Sequence, residues 1–331
     1  MTIAASATPA RTSIRHRGLL VVCAIYLLGI ALVIVTGRPD HEYGYLAGYT
    51  ILQYVLLATA WNILGGYTGY INFGVAGFFA IGCYTTVALR ELFAAPLWAT
   101  APVAVLAAGL VGLGTGYLTL RLRGVFFSIA TLALAVVLQT LVVQWSLVGG
   151  ARGVFVLRPE PPPGFAVYSE ALLVVMAVFS LAGILIAWGI ENSWLGKGLS
   201  AIRDDEAAAE ACGVPGLRMK LIATTVSGAL MGLAGAPFPY FVTYVEPSTA
   251  FSLVIGINTV AMPFIGGTGA WWGPVIGAIL LGGVQQILTV TISSAANLLI
   301  VGLLLVIFVS LAPGGIVGIV RKRLRKGPLR A

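Results

Sequence analysis

The sequence predicts an all-α polytopic membrane protein of about ten transmembrane helices, and three observations carry that expectation. Hydrophobic residues make up 59% of the chain and charged residues 9%, with a mean hydropathy of +1.00. Soluble domains carry about 25% charge, so a soluble globule is excluded. Apolar runs of about 20 residues, the length that crosses a bilayer as a helix, recur along the whole chain. Finally, the basic residues fall unevenly between the runs, as they do in proteins oriented by the positive-inside rule.

The runs are delimited by charges, prolines and glycines at 18–36, 46–64, 71–89, 97–120, 125–147, 169–190, 221–243, 250–267, 271–290 and 296–319. Residues 18–320 form one transmembrane domain between a tail at 1–17 and a basic tail at 321–331. Arg11 to Arg17 followed by an apolar run has the outline of a signal peptide. That run is too long and lacks a small-residue exit before Arg38 and Pro39, so it is read as a retained first span. With the N-terminus inside, 15 of the 19 Lys and Arg residues fall on the inner side; Arg38, Arg90, Arg152 and Arg158 fall outside. An even number of spans with both termini and the 193–220 segment in the cytoplasm satisfies the rule.

Between Ser193 and Lys220 lies the one extended polar stretch, read as a cytoplasmic loop that carries one short helix. Asp204 and Asp205 suit a helix N-terminus, Glu206 to Cys212 is a strong helix former, and Gly213 with Pro215 supplies a stop. A helix of this kind between two spans is either a docking element or a solvated loop.

Glycine numbers 42 of the 331 residues. Gly65/Gly69, Gly112/Gly116, Gly228/Gly232 and Gly273/Gly277 have the small-xxx-small spacing that lets helix backbones approach closely. Two denser segments, Gly65 to Gly77 and Gly266 to Gly277, predict broken or re-entrant backbone at span boundaries on one membrane side. Asn72, Gly74, Thr131, Asn258 and Gly267 are the candidates for lining a translocation path, with interhelical hydrogen bonding or close packing as the alternative reading. The outer segment with Gly149 to Val154 and Pro159 to Pro163 reads as a stiff connector.

No constellation for catalysis is present, so the chain is expected to be a transport subunit and not an enzyme. Cys23, Cys83 and Cys212 have no partner at metal or redox spacing. No metal or cofactor is expected, and no basic and aromatic surface suits nucleic acid. Gly196-Lys197-Gly198 lacks the rest of a phosphate-binding loop, so nucleotide is not bound by that route. No ionisable residue falls clearly inside an expected span, which disfavours proton coupling within the chain. Uphill movement of a solute then needs energy from a partner.

Four blocks resemble the M-type permease subunit of bacterial branched-chain amino-acid ABC importers, a family that also includes urea and short-amide permeases. They are Trp61 to Tyr84, Leu122 to Ala135, Ala201 to Gly213 continuing through Leu233 to Ala236, and Phe264 to Ala278. The resemblance implies a bacterial inner-membrane protein that translocates branched-chain amino acids. It implies four partner chains besides lipid: a second homologous permease, two cytoplasmic ATP-binding subunits and a periplasmic solute-binding protein. It also implies that Arg203, Asp204, Asp205, Glu206, Ala207, Ala208 and Gly213 form the ATPase-coupling loop, with Arg203 and the acidic residues orienting the helix by charge-assisted contacts. After Ala135 the family often carries a polar residue, where this chain has Val136 and Val137. A urea or amide permease and a stand-alone secondary carrier remain the alternatives.

Overall fold

The computed structural model describes residues 19–31, 42–119, 121–122, 124–291, 302–303, 306 and 315–318. The helices in chain order are α1 (Leu19–Ala31), α2 (Glu42–Thr68), α3 (Val75–Phe93), α4 (Leu97–Thr119), α5 (Val125–Gln144), α6 (Tyr168–Asn192), α7 (Trp194–Asp204), α8 (Glu206–Ala211), α9 (Gly216–Gly235), α10 (Phe238–Val242), α11 (Pro247–Ala250), α12 (Leu253–Gly266) and α13 (Gly273–Thr291). Two short strands, β1 (Val154–Phe155) and β2 (Tyr244–Val245), pair antiparallel. Among the described residues six helical stretches are long and apolar enough to cross a membrane: α3, α4, α5, α6, and the stretches Gly216–Val242 and Pro247–Gly266. The chain is a multi-pass membrane protein. The expected tails at 1–17 and 321–331 lie outside the described residues, as does all but short pieces of the tenth expected span.

α2 is the centre of the bundle. Its apolar residues follow no helical stripe, and every residue from Val55 to Thr68 is buried, as a helix surrounded on all sides requires. It packs on α6, α9, α12 and α13. Polar side chains stitch its apolar crossing with α9: Ser227 Oγ donates to the Ala60 carbonyl at 2.7 Å, and Gln53 Nε2 to the Ala234 carbonyl at 3.2 Å.

α9 is wedged between α3 and α4, and glycine makes the wedge possible. A side chain at Gly82 would run into the Gly232 carbonyl, and one at Gly232 into Ala108 and the Ala104 carbonyl. Lipid tails are as apolar as leucine, so helix contact in a bilayer depends on close packing of this kind. Gly228/Gly232 therefore pack as their spacing predicted. Gly65/Gly69 do not: Gly65 is crowded by the ring of Trp61 on its own helix, and Gly69 sits in a left-handed turn at φ +78°.

Three differences from the sequence reading bear on the site. The third span starts at Val75 rather than residue 71, because 69–74 is a non-helical link. The 193–220 segment holds two helices, not one, since Ser193 caps a further helix, α7, by accepting from the Gly196 N–H. α9 begins at Gly216, which puts Lys220 in the first turn of a spanning stretch instead of in a loop.

Opposite ends of α2 mark the two ends of the molecule. Glu42, at its start, pairs with Arg158 at 3.5 Å. Arg158 also donates to the carbonyls of Tyr240 and Phe241, both at 2.8 Å, which pins the proline-rich connector to α10. A cavity of about 630 Å³ opens at this end, with Arg90, Glu160, Tyr168 and Tyr240 in its lining. The other end of α2 meets α7, and α8 meets the link that follows α2.

Candidate functional site

The link 69–74 is closed by its own side chains. Asn72 Oδ1 accepts from the Gly74 N–H at 2.7 Å, a local turn that mimics a backbone hydrogen bond. Trp61 Nε1 donates to the Asn72 carbonyl at 2.8 Å. The link then seats on the first turns of α5: Phe73 N–H donates to Thr131 Oγ1 at 3.2 Å and Ser128 Oγ to the Ile71 carbonyl at 2.8 Å.

Asn72, Gly74 and Thr131 thus meet at one junction, and Gly74 leaves room there for the Thr131 carbonyl. Asn258 belongs to another, donating to Tyr54 Oη at 3.2 Å and accepting from Gln285 Nε2 at 3.1 Å. Gly267, at φ +121°, ends α12. Asn72, Thr131 and Asn258 are buried, and each has a protein partner.

α8 is short and well capped. Asp205 Oδ1 accepts from the Ala208 N–H at 3.0 Å, the N-cap contact expected of that residue. Gly213, at φ +85°, takes the left-handed position beyond the last turn, and its N–H and that of Val214 return to the Glu210 and Ala209 carbonyls. Glycine is needed here because a side chain strains that backbone. Of the residues of α8 only Ala209 is buried. Asp204, Asp205, Ala207, Ala208 and Gly213 are exposed, so these five present an outward face.

Glu206 points the other way, and Arg203, exposed and paired with Asp204 at 3.6 Å, reaches inward with its tip. Arg203 Nη1 donates to the Gly66 carbonyl at 3.1 Å, and a side chain on Gly269 would collide with it. Glu206 Oε1 pairs with Lys220 Nζ at 2.7 Å, and its Oε2 accepts from Tyr70 Oη at 2.7 Å. Lys220 Nζ also donates to Tyr70 Oη at 3.2 Å. Burial, and next the hydrogen bond to the Glu206 carboxylate, push the Tyr70 phenol above its ordinary pKa, which keeps it a donor.

The second glycine-rich break is fastened to the same region. Glu191, at the end of α6, accepts from the Trp271 N–H at 2.6 Å and from Tyr67 Oη at 3.5 Å. Asn62, on α2, holds the second break, donating to the Ala270 carbonyl at 3.3 Å and accepting from the Gly269 N–H at 3.4 Å. Both breaks and the α7–α8 segment therefore meet at one end of the bundle. Tyr70, Lys220, Glu191 and Asn62 are the members that sequence reading missed.

A family model described as branched-chain amino acid transport system / permease component matches residues 46–309. The chain belongs to that family. The LivM high-affinity branched-chain amino acid transport system permease protein of Escherichia coli is 26% identical over 333 residues, covering 91% of this chain and 75% of LivM. The LivH branched-chain amino acid transport permease protein of Methanocaldococcus jannaschii is 25% identical, covering 82% of this chain and 90% of its own length. An inward-facing structure of a metal-chelate type ABC transporter aligns over 87% of the permease and 99% of that chain, with a TM-score of 0.46 and 19% identity, a likeness too loose to bear on residue roles.

Proposed function

We propose that this permease is one membrane half of an ABC importer that carries branched-chain amino acids across the bacterial inner membrane, driven by ATPase subunits on separate chains. The observation that carries the reading is the construction of α8 within a chain of this family. Its capped turns turn Ala207 and Ala208 outward, while Arg203 and Glu206 fasten it inward to the last turn of α2, the α2–α3 link and α9. Small exposed residues let a partner groove approach closely, and a fastened helix passes a rigid-body movement of that partner into the bundle.

Family membership and the names of the relatives support the solute class. The partners in this reading are a homologous second permease, two cytoplasmic ATP-binding subunits and a periplasmic solute-binding protein. Both termini and the α7–α8 segment face the cytoplasm. The 630 Å³ cavity and the connector held by Arg158 then face the binding protein.

The test is reconstitution of the permease pair with its ATPases and binding protein in vesicles. ATP-dependent accumulation of leucine, isoleucine or valine is the expected result. Accumulation of urea or a short amide in their place would overturn the solute, and accumulation without ATPases would overturn the importer reading.

A further inference from the structure

We infer that Glu206 acts inside the chain rather than on a partner: with Tyr70 and Lys220 as positioning residues, it clamps α8 to the first turn of α9 and to the link between α2 and α3. The inference rests on the importer reading for its functional consequence, and on geometry for the clamp itself.

The three groups pair with one another. Each carboxylate oxygen of Glu206 has its own partner, Lys220 on one side and Tyr70 on the other, both at 2.7 Å. Lys220 closes the triangle through Tyr70 Oη and lies 4.6 Å from the centre of that ring. The Lys220 side chain is 4% exposed and that of Glu206 17%, so the pair is shielded from water and from any docking protein. Turning Glu206 outward to meet a cation on a partner would strand the Lys220 ammonium in the protein interior, which is strongly unfavourable.

α8 also needs such a clamp. A helix of six residues is not stable in isolation, and α8 buries a single alanine. Its attachment therefore depends on polar contacts: its own cap, the clamp, and Arg203 just before it. The clamp joins α8 and α9 to a link remote in sequence, with Tyr70 136 residues from Glu206 and 150 from Lys220. A movement of α8 reaches α9 and the α2–α3 link together while the clamp holds. Once it is broken, the outward face persists but its displacement is no longer shared.

Two measurements test this on the variants Glu206→Gln, Lys220→Met, Tyr70→Phe and the exchange Glu206→Lys with Lys220→Glu. In the first, a spin label is placed on the exposed native Cys212, with Cys23 and Cys83 replaced by alanine, in the permease alone. Label mobility should rise in Glu206→Gln and Lys220→Met and fall back in the exchange variant. Unchanged mobility would overturn the clamp whatever the protein transports.

In the second, the complex is reconstituted with its ATPases, and solute uptake is divided by ATP hydrolysed. The single variants should keep their ATPases and basal hydrolysis while this ratio drops about tenfold, within the range of ordinary coupling free energies. The exchange should recover most of it. Loss of ATPase co-purification in Glu206→Gln but not in Lys220→Met would place Glu206 at the interface and overturn the inference. A wild-type complex with no ATP-driven uptake would overturn the importer reading and the coupling role together, leaving the clamp to the label measurement.

Discussion

Arg203 donates a hydrogen bond of 3.1 Å to the carbonyl of Gly66, 137 residues earlier in the chain. The contact ties the end of α7 to the last turn of α2, where helix carbonyls run out of intrahelical donors. Arg203→Ala should destabilise the permease by on the order of 1 kcal/mol, the usual net worth of such a bond, and reduce uptake. Thermal unfolding in detergent checks the first effect; an unchanged midpoint would show that the contact contributes nothing.

The α3/α4/α9 wedge predicts a sharp contrast between two glycines. Gly232→Leu forces a side chain into Ala108 and the Ala104 carbonyl and should cost 3 kcal/mol or more, on the order of the upper end for overpacking. Gly114 has nothing within 4 Å of a built Cβ, so Gly114→Ala should be tolerated. Size-exclusion profiles of the two variants decide the matter, and equal behaviour would mean that the wedge is not as tight as described.

Cys212 is exposed on the cytoplasmic face in the proposed orientation, whereas Cys83 is buried. A membrane-impermeant maleimide should label Cys212 in inverted vesicles and not in intact right-side-out cells. Labelling from the periplasmic side would reverse the topology.

The outward face of α8 predicts a separation of stability from assembly. Ala208→Trp places bulk on an exposed surface, where substitutions change stability by no more than about 0.5 kcal/mol. Co-purification of the ATPases should nevertheless fall severalfold, because a flat small-residue surface has been filled. Full retention of the ATPases would argue that another surface docks them.

At the opposite end, Arg158→Ala removes two bonds to the carbonyls of Tyr240 and Phe241, a loss on the order of 2 kcal/mol. Hydrogen exchange should quicken at Val156, whose N–H donates to the Thr243 carbonyl at 2.7 Å beside the β1/β2 pair. Exchange as slow as in the wild type would show that the connector is held by β1 and β2 alone.

Much of this architecture is written locally. Apolar runs mark the spans because bilayer thickness sets their length. The Asp205 cap and the Gly213 stop were legible because capping and a left-handed φ depend on a few neighbouring residues. The breaks at 69–74 and at Gly267 announced themselves through clustered glycine. Local pattern misled at α7, where the glycines at 196 and 198 read as loop. Gly196 is required instead by the close approach of the Ile190 carbonyl and Gly198 by the sulfur of Met219. The polarity of Asn72 and Thr131 serves a turn and a helix junction, the latter between residues far apart in sequence.

The sequence by itself determined the membrane class, most span positions, the polar segment and its capped helix, since hydropathy, charge and backbone preference act over short stretches of chain. Tertiary structure decided which way the charges of that segment face. Glu206 and Lys220 are both polar and could each have faced water; burial beside Tyr70, far away in sequence, is what makes them a pair. Such pairing has no local signature, because the free energy of burying a charge depends on which partner the fold brings within reach.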